Sequence, residues 1–198
     1  NSGISLTPAL AGTWKWTNEK TLIFQPSTEY QAGTEYVVQL EKSLFPSEVE
    51  MDSYQVKITS AMQLASIIDY KFYTQPDQPD IHQLTATLST AFPVTQEMLR
   101  SSLQFIPLDV ENNTATPKVI NYTLTASKNP FTWFFRSDAI QIPATSFPMK
   151  LMVSKGLSSI VGGKATTQDI VAKAQIPDKY SALSLSNVES MIVKNSQG

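Results

Sequence analysis

The sequence predicts an all-β protein made of tandem antiparallel β-sandwich domains of Ig-like type, with the first and last incomplete. Three observations carry that expectation: short period-two runs rich in β-branched and aromatic residues, Gly/Asn/Pro turn chemistry between them, and little helical patterning. The runs, in order, are Thr21–Gln25, Glu35–Leu40, Tyr54–Thr59, Leu84–Leu88, Val119–Ala126, Phe131–Arg136 and Met149–Ser154. Reversals fall at Thr17–Lys20, Gln31–Thr34, Lys128–Pro130 and Val161–Lys164, the last read as a hairpin turn. Strands this short at close spacing fit sandwiches.

Helical signals are confined to two places. Thr95–Leu103 has an N-cap in Thr95, a carboxylate in the first turn at Glu97 and apolar Met98, Leu99 and Leu103. Thr166–Ala172 reads as a further helical turn.

Boundaries are expected where the alternation lapses. It lapses between Thr59 and Tyr70, and Gln75–Asp80 (QPDQPD) follows as a polar, proline-marked stretch, so a second domain is expected to run over 67–178 after a first over 1–66. Beyond Gln175–Asp178, residues 179–198 restart an alternating pattern and read as the first strands of a third unit or a linker. Residues 1–59 carry few strands for a whole sandwich, so the front of the first domain is expected to be missing and both ends to be cut.

Bulk properties remove whole classes of function. The chain has 198 residues, 41% hydrophobic and 16% charged, with a net charge of −2 and no basic run, which argues against a phosphate-backbone partner and hence nucleic acid. The absence of cysteine removes disulfides, thiolate nucleophiles and iron–sulfur ligation, and leaves the compartment open. No apolar stretch reaches the roughly 18 residues that cross a bilayer as a helix.

The pair Trp14 and Trp16 raises the sharpest functional question. In a strand both point to one face and Lys15 to the other, while Leu22 and Phe24 share a face after the turn. The favoured reading is core: Trp14, Trp16, Leu22, Phe24 and Tyr36 for the first domain, with Phe92, Leu103, Phe105, Trp133 and Phe135 for the second. The rival is an adhesive or carbohydrate-binding Ig-like module with Trp14, Trp16 and Tyr30 as a stacking platform.

Catalytic chemistry is poorly represented. His82 is the one histidine; Asp80 and a serine could join it on paper, but no GxSxG turn accompanies them. Asp77, Asp80 and His82 could meet a cation, yet lack calcium-loop spacing and read as a solvated inter-domain loop. Gly162-Gly163-Lys164 lacks the P-loop pattern, and the sequons Asn112-Asn113-Thr114 and Asn121-Tyr122-Thr123 are weak signals. No catalytic residue, metal ligand or cofactor is assigned.

Taken together, the segments resemble a known family. Ile4–Leu40 is similar to the N-terminal macroglobulin-like domain of bacterial alpha-2-macroglobulins through Pro8, Gly12, Trp14, Trp16, Leu22, Phe24, Pro26, Gly33, Tyr36 and Val38, with Tyr30 where the family more often has Trp. Asp69–Phe105 resembles the start of the next unit, and the stretches LMVSKGLSSIVGGKAT and IPDKYSALSL resemble a domain's close and the start of another. The resemblance implies a structural, non-enzymatic fragment of a broad-range protease trap in the bacterial periplasm or cell envelope, its parent anchored as a lipoprotein. The implied partners are proteases, engaged by the full-length parent, and neighbouring macroglobulin-like domains. No thioester motif or bait segment carries over to this chain.

Overall fold

The computed structural model describes residues 3–107 and 120–181. The fold is all-β, with antiparallel ladders throughout the named sheets. The expected third unit and the sequon at Asn112 fall largely or wholly outside the described residues.

The N-terminal third forms two small sheets. Strands β1 (Ile4–Thr7), β4 (Glu35–Leu40) and β5 (Gln55–Thr59) make one, in the order β1-β4-β5, and β2 (Gly12–Asn18) and β3 (Thr21–Pro26) pair as a hairpin. Register lines up the apolar residues in rungs: Leu6 opposite Val38 opposite Val56, and Tyr36 opposite Ile58. On the hairpin Trp14 stands opposite Phe24 and Trp16 opposite Leu22. The two sheets enclose an apolar groove between these faces.

Ser60–Leu64 leads into the second pair of sheets. Strands β6 (Ala65–Gln75) and β7 (Gln78–Thr90) form a long hairpin, and β7 also pairs with β10 (Thr132–Ser137) and β11 (Ile140–Gln141), β10 in turn with β9 (Tyr122–Ala126). Strands β8 (Leu103–Pro107), β12 (Phe147–Val153) and β13 (Ile170–Ile176) form the facing sheet, with β12 central. Their inner faces interdigitate: Leu84, Ala86 and Leu88 of β7 and Trp133 and Phe135 of β10 meet Leu103 and Phe105 of β8 and Met149, Leu151 and Val153 of β12. Period-two side-chain direction is what allows each strand to supply alternate residues to this layer. Helix α1 (Gln96–Ser102) closes one end with the fully buried Leu99, and the Thr95 side chain accepts from the Met98 amide at its N-terminus.

Four expectations are corrected by the fold. The Gln75–Asp80 stretch spans the tip of the β6–β7 hairpin, with Pro76-Asp77 as its connection, and the lapse before it contains the start of strand β6. Alternation fails there because a bulge between Ile68 and Lys71, with Asp69 at φ 51°, slips the phase of the strand. Thr166–Ala172 is not helical: Ile170 begins β13, and Thr166 exchanges hydrogen bonds with Leu157. Gly162-Gly163 does not turn a hairpin but lies against Ala32, far back in the sequence. His82 leaves the solvated loop expected for it and sits 3% exposed on β7, because the inward phase of Leu84, Ala86 and Leu88 extends back to it.

Candidate functional site

The N-terminal sheets enclose an apolar groove of about 300 Å³. Its floor is Tyr36 and Val38 of β4, its walls are Trp14, Leu22 and Phe24 of the hairpin, and its rim carries Leu6, Tyr30, Leu40, Val56 and Ile58. Tyr36 is the best buried of these, at 2% exposure, and its hydroxyl accepts from the Gln31 amide at 3.0 Å. That bond fixes the incoming loop, and Tyr30 packs edge-on against Tyr36 with ring centroids 5.2 Å apart. Trp14 lies 4.6 Å from Phe24 by ring centroids and is half-buried.

Gly12 shows why this hairpin needs its particular sequence. A Cβ there would meet the Phe24 ring at 2.4 Å and the Gln25 carbonyl oxygen at 2.6 Å, so the ring of Phe24 occupies the space a side chain at Gly12 would take. The Gly-Thr-Trp-Lys-Trp order thus places a bare backbone beside one aromatic and an aromatic partner two residues on.

The ten residues expected in the cores fall into three groups. Tyr36, Leu103, Phe105, Trp133 and Phe135 are buried. Trp14, Leu22, Phe24 and Phe92 are half-buried. Trp16 departs from the expectation: it is 42% exposed, packing edge-on to Phe45 at 6.4 Å, because it stands near the end of a two-stranded sheet where the facing layer has run out. Phe92 belongs not to the second core but to the connection, beside Ala91 and Phe131 in a shallow cleft with Tyr30. Trp14, Trp16 and Tyr30 each rest against a different aromatic, Phe24, Phe45 and Tyr36 respectively, rather than presenting their faces side by side.

His82 is the residue whose position sequence reasoning misjudged most. Its Nδ1 lies 2.7 Å from Thr74 Oγ1 across the β6–β7 ladder, and its ring packs near Phe72. Burial holds its pKa below the ordinary imidazole range, so it stays neutral near pH 7. Nε2 has no hydrogen-bond partner among the described residues. No group of three His, Asp or Glu side chains converges as a metal site among the described residues.

Comparison with known proteins decides the relationship. The chain is 23% identical over 189 residues to an alpha-2-macroglobulin of Pasteurella multocida (strain Pm70), an alignment covering 90% of this chain. It is 21% identical over 196 residues, 98% of the chain, to an alpha-2-macroglobulin homolog of Yersinia pestis. The chain is similar to bacterial alpha-2-macroglobulins along most of its length. It spans 10% of the length of each of these relatives. No protein-family model matches the chain. The aligned stretch runs through both pairs of sheets.

Proposed function

We propose that this chain is a non-enzymatic structural segment of a bacterial alpha-2-macroglobulin-like protease trap. The single observation that carries the reading is similarity to bacterial alpha-2-macroglobulins along 90% and 98% of the chain. Two tandem macroglobulin-like domains, 1–66 and 67–178, would act as rigid modules that position the bait and trapping regions of the parent. A mechanical role is supported by the chemistry of the described residues, which is apolar packing and main-chain pairing, with the one histidine buried against Thr74.

Proteases would be partners of the full-length parent, and further macroglobulin-like domains would contact this segment within the same polypeptide. Val56 and Ile58, exposed on strand β5 at the rim of the groove, are apolar side chains that such a contact would cover. The parent would work in the periplasm or cell envelope, held by a lipid anchor. Among the described residues no helix is long and apolar enough to cross a membrane.

The test uses the full-length parent incubated with an endoprotease. Trapping predicts that cleavage of a large protein substrate is suppressed while hydrolysis of a small peptide substrate continues. Undiminished cleavage of both would overturn the proposal.

A further inference from the structure

The joint between the two pairs of sheets is built differently from a linker. Ala32, in the β3–β4 connection, is fully buried and is gripped by main chain from the far end of the second pair: its amide donates to the Gly162 carbonyl at 3.1 Å and its carbonyl accepts from the Lys164 amide at 2.7 Å. These two bonds form an isolated parallel bridge between Ala32 and Gly163. The bridge is one link in a closed circuit. The Gly33 amide donates to the Ala61 carbonyl, and the Ala91 amide to the Leu64 carbonyl. The Ile160 amide and the Ser159 hydroxyl both donate to the Pro93 carbonyl.

Gln63 closes the remaining gap with its side chain. It is 1% exposed, its Oε1 accepts from the Phe92 amide at 3.0 Å and its Nε2 donates to the Phe92 carbonyl at 3.4 Å, so the amide stands in for a strand neighbour. A joint whose main-chain groups are paired across the boundary must break those bonds before the modules can bend.

Gly163 is where this circuit has no tolerance. A Cβ there would fall 2.2 Å from the Ala32 carbonyl oxygen and 2.4 Å from its nitrogen, and its φ of +92° already favours glycine. Gly156 has nearly the same φ, +94°, but open space where a Cβ would go. The pair separates backbone strain from loss of the bridge.

We infer that the Ala32–Gly163 bridge locks the two pairs of sheets into one rigid arm, so that any rearrangement of the parent pivots outside residues 3–181 and not at Ser60–Leu64. The lock belongs to the joint alone, and stands whether or not the parent traps proteases.

The absence of native cysteines permits clean spin-labelling of the 198-residue chain at Lys20→Cys and Lys128→Cys, on exposed turns of the two sheet pairs. Double electron–electron resonance is expected to give one narrow distance distribution in the doubly labelled chain without a glycine change and in Gly156→Ala, and a broadened one in Gly163→Ala. A broad distribution without any glycine change, an unbroadened Gly163→Ala, or equal broadening in Gly156→Ala would overturn the lock. Amide exchange of the unaltered chain tests it even if Gly163→Ala fails to fold. The Ala32 and Lys164 amides should be protected together and exchange at one common rate; independent or unprotected exchange at either would refute a single lock. In a folded Gly163→Ala both amides should exchange roughly 30-fold faster, as loss of two net hydrogen bonds implies.

Discussion

Trp14 and Phe24 stand directly opposite one another across the β2–β3 ladder, their ring centroids 4.6 Å apart and their planes tilted by 39°. This pair, with Gly12 beneath the Phe24 ring, holds the hairpin over the apolar face of β4. Trp14→Ala is expected to destabilise the N-terminal sheets by about 2–3 kcal/mol, less than the roughly 3–5 for a fully buried aromatic because the groove is partly open. Trp16→Ala should change stability by less than about 1 kcal/mol, as its exposure implies. Urea unfolding followed by circular dichroism distinguishes the two, and equal losses would refute the different placement of the two indoles.

Gly12→Ala should be as damaging as Trp14→Ala although it adds only a methyl group, because that methyl must displace the Phe24 ring or the Gln25 carbonyl. Combining Gly12→Ala with Phe24→Ala should recover part of the loss. Simple additivity in the double-mutant cycle would show that the two residues do not share the space.

Phe135 lies at the centre of the second core, 1% exposed and within 5.5 Å of Phe105 and 5.1 Å of Tyr122 by ring centroids. Phe135→Ala is expected to reduce stability by about 3–5 kcal/mol, whereas Phe134→Ala, one residue away and 48% exposed, should stay within about 0.5 kcal/mol. Thermal melts of the two variants check the inward and outward phases of β10 together.

His82 gives the fold a defined acid sensitivity. Burial lowers its folded-state pKa, so the unfolded chain, with an ordinary imidazole near ~6.5, binds the proton more readily. The stability contributed by keeping this ring neutral is complete above that unfolded value and is lost as pH falls towards and through the depressed folded pKa. Denaturation midpoints should therefore decline below about pH 6.5 in the unaltered protein, and His82→Gln should remove that component of the decline. A variant with an unchanged pH profile would assign the acid sensitivity elsewhere.

Much of this architecture was legible in the residues, and the failures have physical causes. Glu35–Leu40 reads as a strand and is β4 with the same limits, since Tyr36, Val38 and Leu40 alternate without interruption. Helix α1 announced itself through Thr95, whose side-chain bond to Met98 is the cap its sequence position implies. Strand β6 escaped because the Asp69 bulge breaks the period that betrays a strand, and β13 because Ala172, Lys173, Ala174 and Gln175 have little β propensity of their own and depend on β12. The role of Gly162-Gly163 was beyond reach from sequence: local turn chemistry cannot name a partner as distant along the chain as Ala32. Exposure at Trp16 was hidden for a similar reason, since alternation gives a face but not the extent of the layer that covers it.

If the hairpin tryptophans serve packing and not ligand capture, the indole of Trp14 should be blind to sugar. A Trp16→Phe, Trp133→Phe variant leaves Trp14 as the sole tryptophan emitter, and its fluorescence titrated with oligosaccharides of cell-wall type reads that residue alone. Emission and acrylamide quenching are expected to stay unchanged on adding sugar, with quenching weaker than for a matching variant that retains only Trp16. A saturable, sugar-dependent change in Trp14 emission would instead make the hairpin a binding platform.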